Sequence, residues 1–203
     1  MSACQTVASS AGQETKNELR GRWGLPLDQP VGLFLGHAQP YRGFDRLLAA
    51  LDHLPDPKVV PGVVAVAGPP VLKVPGHERV RALGPVNDVG DLLRAVDFFI
   101  NVNRFNLFDL SIIEATEAGL PLLLHATGGN RTFASLGAGT VMIDSLETDA
   151  IAHGIDTMLC MRADDRLVLG RRSRACYESH LTVAHHARRH LSLYDHARTP
   201  CLT

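Results

Sequence analysis

The sequence predicts an α/β fold: a mainly parallel sheet flanked by helices, with a helical C-terminal tail. Two observations predict it. Short apolar runs, Val31–Leu35, Val63–Ala67 and Phe98–Val102 among them, alternate with segments of helical period. Strands and helices in alternation imply right-handed crossovers and a parallel sheet covered on both faces. The last third differs, because residues 146–161, 164–180 and 182–197 all have helical spacing.

Each element has its own signals. Residues 1–19 are polar, small and without periodicity, which predicts a disordered or loosely held arm. An irregular lead-in containing Pro26 and Pro30 follows, so residues 1–29 stand apart and 30–198 form the domain. Val31–Leu35, bounded by Pro30 and Gly36, is the first buried strand. After the loop Gly36–Gly43, residues 44–51 have helical spacing. Val63–Ala67 before Gly68-Pro69-Pro70 is a second strand, and Val80–Leu83 before Gly84-Pro85 a third. Val89, Leu92, Leu93 and Val96 are spaced as a helix, with Asp88 placed to cap it. Phe98–Val102, Leu122–Leu124 and Thr140–Ile143 complete the strands; Gly128-Gly129-Asn130 reads as a turn, and Thr182 as the cap of the last helix.

Composition narrows the partners. A chain of 203 residues, 45% hydrophobic and 20% charged, has the profile of an ordinary globular protein able to bury a substantial core. A formal charge of −1 supplies no bulk attraction to nucleic acid or to an anionic membrane. No apolar run approaches the roughly 20 residues of a membrane span, and the N-terminus lacks the pattern of a signal peptide; a cytoplasmic location is the expectation. The cysteines at 4, 160, 176 and 201 form no CxxC pair, which speaks for free thiols, with Cys160 and Cys176 as packing residues.

The stretch Asn103–Pro121 concentrates the chemistry. A strand, a polar loop and a helix N-terminus in that order present N–H groups and a positive dipole end to an anion, at the edge of the sheet where α/β proteins bind ligands. Glu114 is the ionisable residue set inside the apolar face of that helix.

In order along the chain, Val31–Gly43, Val63–Gly68, Val80–Val86, Asp91–Asn103, Phe108–Ala115, Ala118–Pro121 and Gly128-Gly129 resemble the landmarks of the C-terminal, donor-binding half of family-4 glycosyltransferases of the GT-B fold (glycosyl transferases group 1). The resemblance runs from about Pro30 to about Tyr194 and implies a Rossmann-like domain, a single GT-B half. It implies transfer of a sugar from a nucleotide-diphospho-sugar with retention, without metal or cofactor. By the same resemblance Arg42 and His37 face the diphosphate and stabilise the leaving group, Asn106 contacts the sugar, and Glu114 accepts the ribose hydroxyls. Gly36 and Gly43 bound the first loop, and Pro85 and Val86 lie by the base. The backbone around Leu107, Phe108, Asp109 and Leu110 meets the phosphates.

The departures are informative. Asn106 stands where the family has a carboxylate, His37 where it has Arg, and Arg42 where it has Lys. Arg42 keeps a charge able to grip phosphate with two N–H groups. Asn130-Arg131-Thr132 replaces the family's Glu after the Gly-Gly pair, with Arg131 a candidate phosphate contact. The thirty or so residues before the first strand are too few for an acceptor-binding domain of the usual ~100 residues, so a separate N-terminal domain or partner chain is expected. A non-catalytic nucleotide-sugar-binding module is the alternative.

Plainer readings stand beside these. Asp109 serves equally as an N-cap, and His37 as a loop residue. His186 and His190, at i and i+4, suggest a metal pair, yet Arg188 and Arg189 beside them favour a solvated helix face. Arg171, Arg172 and Arg174 likewise read as an exposed face.

Overall fold

The computed structural model describes residues 14–37, 39–69, 76–105 and 108–198. Among these residues six parallel strands lie in the order β3-β2-β1-β4-β5-β6: β1 (Val31–Leu35), β2 (Val63–Ala67), β3 (Val80–Gly84), β4 (Phe98–Asn101), β5 (Leu122–His125) and β6 (Thr140–Ile143). Chain order reverses between β1 and β4, which pair with Gly32 opposite Phe98 and Phe34 opposite Ile100. Their carboxyl ends therefore flank the crevice in which open α/β sheets bind ligands.

The inner strands β1 and β2 carry no polar side chain because helices cover both faces of the sheet. Successive residues point to opposite sides, so Leu33 and Phe99 join one core with Ile112 and Phe133. Phe34 and Phe98 join the other, with Phe44 and Ile155. Gly32 has no side chain because a Cβ there would meet the Phe98 ring at 2.6 Å.

The helices are α1 (Lys16–Arg22), α2 (Phe44–Leu51), α3 (Val89–Ala95), α4 (Leu110–Glu117), α5 (Gly128–Ser135), α6 (Thr148–Cys160), α7 (Ala163–Cys176) and α8 (Val183–Arg198). Asp88 caps α3 by accepting the Asp91 N–H, and Thr182 Oγ1 accepts the His185 N–H at the start of α8. A π-helical turn, Tyr177–Leu181, separates α7 from α8. Among the described residues no helix is long and apolar enough to cross a membrane.

Three expectations need correction. The arm and lead-in contain α1, whose start is fixed by a reciprocal capping box between Thr15 and Glu18. Leu19 of α1 is fully buried and Arg20 nearly so. Arg20 bonds the Asp97 carboxylate, and Asp97 also accepts the Val31 N–H at 2.7 Å and Lys16 Nζ at 2.6 Å. A polar segment is thus held by ion pairs that hydrophobic periodicity does not register; residues 1–13 lie outside the described set. The Gly128-Gly129-Asn130 turn is the first turn of α5, where two glycines mask a helix that buries Phe133. Cys160 is exposed rather than packed, whereas Cys176 is buried.

Candidate functional site

Two loops meet at the reversal of strand order. The first leaves β1 at Gly36, whose N–H donates to Ala67 O at 2.9 Å. It continues through a 3-10 turn, Pro40–Arg42, and ends at Gly43 with φ +71°. A Cβ on Gly43 would lie 2.1 Å from Val102 O, so only glycine lets this loop lie against the one after β4. Arg104 fastens the two loops. Its N–H donates to Tyr41 O at 2.9 Å, its Nε to Pro40 O at 2.7 Å and its Nη2 to Asp45 at 2.6 Å.

Arg42 reaches from the first loop to the second. Its Nη1 donates to Asp109 Oδ2 at 2.6 Å. Asn101 and Asn103 donate to the same oxygen at 3.1 and 3.2 Å. The other oxygen, Oδ1, accepts the Ser111 N–H at 3.2 Å and its hydroxyl at 2.9 Å. Asp109 is therefore the N-cap of α4, and the positive end of that helix is met first by a carboxylate of the chain itself. Burial alone would lower the Arg42 pKa, but Tyr41 and the Asp109 carboxylate outweigh it and raise it. The guanidinium stands 5.6 Å from the Tyr41 ring centre. Its Nε is buried without an acceptor among the described residues.

Buried asparagines extend the network inward. Asn130 Nδ2 donates to Asn101 Oδ1 at 3.2 Å and to His125 O at 2.9 Å. His125 Nδ1 lies 2.8 Å from Asn103 O, and since a carbonyl only accepts, that ring nitrogen carries the proton. Sequence reasoning assigned no role to Asn101 or His125. The available signal was Asn-x-Asn at the end of an apolar strand, where a buried amide must find partners.

Glu114 lies one turn into α4, partly buried. Burial, then the charges of Asp109 and Glu117, push its carboxyl above the ordinary range. No described residue donates a hydrogen bond to it. His37 is exposed in the first loop, and Pro85 and Val86 follow β3 at the same edge of the sheet. Phe108 is stacked on Phe133 with ring centres 4.7 Å apart, and Leu110 is exposed. Of the residues singled out in the sequence, Arg42 and Asp109 are in direct contact, with Gly36 against the guanidinium. Asn106 and Leu107 lie outside the described residues.

Elsewhere, a cleft of about 590 Å³ opens at the amino edge of the sheet beside Lys16, Asp97 and Gly170; none of the candidate site residues lines it. The His186 and His190 rings lie 4.3 Å apart on α8. No group of His, Cys, Asp or Glu among the described residues is arranged to hold a metal ion.

Residues 29–161 match the family model of the glycosyl transferases group 1. The chain belongs to this family. It is 32% identical over 170 residues to a D-inositol 3-phosphate glycosyltransferase of Xylanimonas cellulosilytica, an alignment covering 78% of this chain and 39% of that protein. The chain thus spans about two fifths of the length of that relative. Among solved structures, HepE of Anabaena in complex with UDP-glucose superposes with a TM-score of 0.73 at 18% identity, over 89% of this chain and 52% of that one. The C-terminal domain of a group 1 glycosyl transferase (LpcC) from Francisella tularensis gives 0.67 at 14% identity, over 84% of this chain and 95% of that domain. The group 1 chain therefore has the Rossmann-like architecture of one GT-B half, with added C-terminal helices.

Proposed function

We propose that this group 1 chain is the donor-binding half of a family-4-type glycosyltransferase, which transfers a sugar from a nucleotide-diphospho-sugar with retention. The observation that carries the reading is Arg42, fixed at the sheet's switch point with a buried Nε that lacks an acceptor among the described residues. As the glycosidic C–O bond breaks, its electron pair leaves on the diphosphate, and a preorganised guanidinium stabilises the charge that develops. Glu114, a partly buried carboxylate with no donor from the described residues, is suited to accept two hydroxyls of a ribose. The base would lie by Pro85 and Val86, the sugar by Asn106, and the diphosphate beside His37 and the Leu107–Leu110 backbone. The acceptor would be held by a separate N-terminal domain or partner chain, in the cytoplasm, and the transfer would need no metal or cofactor. The UDP-glucose bound to HepE, a protein of like fold, supports a nucleotide-sugar as the ligand class.

A binding module without catalysis is the second reading, favoured by Asn106 in place of the family's carboxylate. Incubation with nucleoside-diphospho-sugars, following free nucleoside diphosphate and bound ligand together, separates the two. Slow donor hydrolysis that is lost in Arg42→Gln supports the enzyme. Binding without any bond cleavage, even with an acceptor-binding half added, supports the module. Absence of binding would remove both.

A further inference from the structure

We infer that Asp109 is a positioning residue, which pins Arg42 by one nitrogen and leaves the opposite edge of the guanidinium, Nε and Nη2, aimed at an oxyanion of the ligand. The inference rests on the donor-binding reading for the identity of that oxyanion, and on geometry alone for the pinning.

Three observations carry it. Asp109 holds Arg42 through Nη1 only, at 2.6 Å. A guanidinium offers five N–H donors in a fixed planar fork, so a bond at Nη1 fixes where Nε and Nη2 point. Nε is buried and has no acceptor among the described residues, and an unmet buried donor is costly unless something completes it. Gly36 lines the guanidinium, since a Cβ there would lie 3.5 Å from Arg42 Cζ. A longer side chain at that position would close the approach.

Asp109 is itself fixed from elsewhere. Asn101 and Asn103, at the end of β4, and the first turn of α4 supply four further hydrogen bonds to its two oxygens. Asn101 is tied onward to Asn130 of α5. The direction of Arg42 is thus set by a strand and two helices in addition to its own loop, where Tyr41 faces the guanidinium, the kind of support that holds a binding group within a fraction of an ångström. An arginine free to explore its rotamers loses that freedom on binding; here Asp109 removes it beforehand. The carboxylate also repels a phosphate on the far side of the guanidinium, but its charge is shared among five donors, one of them cationic.

The test uses the full chain and the variants Asp109→Asn and Asp109→Ser, both of which keep a side chain able to cap α4. Without ligand, nitrogen-15 NMR of arginine side chains measures rotation about the Arg42 Nε–Cζ bond. Rotation should be slow in the wild type and at least ten times faster in the variants, whereas equal rates would overturn the inference. With uridine, adenosine and guanosine diphosphates as probes, Asp109→Asn should weaken the nucleotide that binds best about tenfold. The same substitution in an Arg42→Gln background should cost less than twofold. Tighter binding by Asp109→Asn would show that Asp109 competes with the ligand, and an equal loss in both backgrounds would show a merely structural role; either result overturns the proposal. If no nucleoside diphosphate binds the wild type, the donor-binding reading falls, and the rotation rates still decide what Asp109 does.

Discussion

Glu114, proposed to meet the ribose, also bears on stability. Its carboxyl is pushed above the ordinary glutamate range by burial and by the nearby charges of Asp109 and Glu117. A raised carboxyl is one whose folded state holds its proton more tightly than the unfolded state. Its ionisation therefore costs stability as pH rises from the unfolded pKa through the folded one. Glu114→Gln should remove that loss, so that the thermal midpoint of the variant gains on the wild type as pH rises through this window. The same substitution should weaken nucleotide binding about tenfold, because an amide accepts ribose hydroxyls less strongly than a carboxylate does. Wild-type affinity should climb with pH over the range in which Glu114 ionises, and the climb should vanish in Glu114→Gln. Calorimetric titration at several pH values checks both. Arg42→Gln removes a charge-assisted contact of about 1.5–3 kcal/mol, which predicts a tenfold to hundredfold loss for a nucleoside diphosphate and little change for the nucleoside. The candidate site was legible in part at this scale. Arg42 and Glu114 stand out as charges beside apolar elements, whereas Asn101 and His125 matter through partners from β4, β5 and α5 that spacing along one segment does not reveal.

Among the elements, the loop after β1 depends on Gly43. Alanine there would have to hold φ at +71° and meet Val102 O at 2.1 Å. Left-handed strain of about 1–3 kcal/mol plus displacement of the β4 loop predicts a Gly43→Ala chain that unfolds at clearly lower urea concentration. Nucleotide binding should be lost as well, because Arg42 is the preceding residue. At the opposite edge, Asp97 ties α1 to the start of β1. Burial would raise its carboxyl, but Lys16, the Val31 N–H and Arg20 outweigh it and hold it below the ordinary aspartate range. A depressed carboxyl contributes stability above its unfolded pKa, and that contribution is lost as pH falls through the folded value. Asp97→Asn should cost about 3 kcal/mol near neutral pH, since it leaves a nearly buried Arg20 without its counter-charge. The deficit should shrink in acid, as chemical denaturation at pH 7 and pH 3 would show. The strands were readable because each is a short apolar run between turn residues. α1 and α5 were not, because one is held by ion pairs and a capping box and the other opens on two glycines.

For the molecule as a whole, parallel strands in the order β3-β2-β1-β4-β5-β6 bring the loops after β1 and β4 to one edge, and everything proposed about function depends on that. The chain corresponds to about two fifths of a D-inositol 3-phosphate glycosyltransferase and to nearly the whole of an isolated C-terminal domain of a group 1 glycosyl transferase. Donor recognition is proposed to reside in this half and acceptor recognition elsewhere, so that sugar transfer requires both. The decisive measurement is calorimetric titration of the wild type, Arg42→Gln and Glu114→Gln with a nucleoside and its mono- and diphosphate. Affinity should rise with each phosphate in the wild type, and that rise should disappear in Arg42→Gln. Glu114→Gln should weaken all three ligands alike. Affinity that is indifferent to phosphate, or unchanged in both variants, would contradict the assignment of this sheet edge as a sugar-nucleotide site.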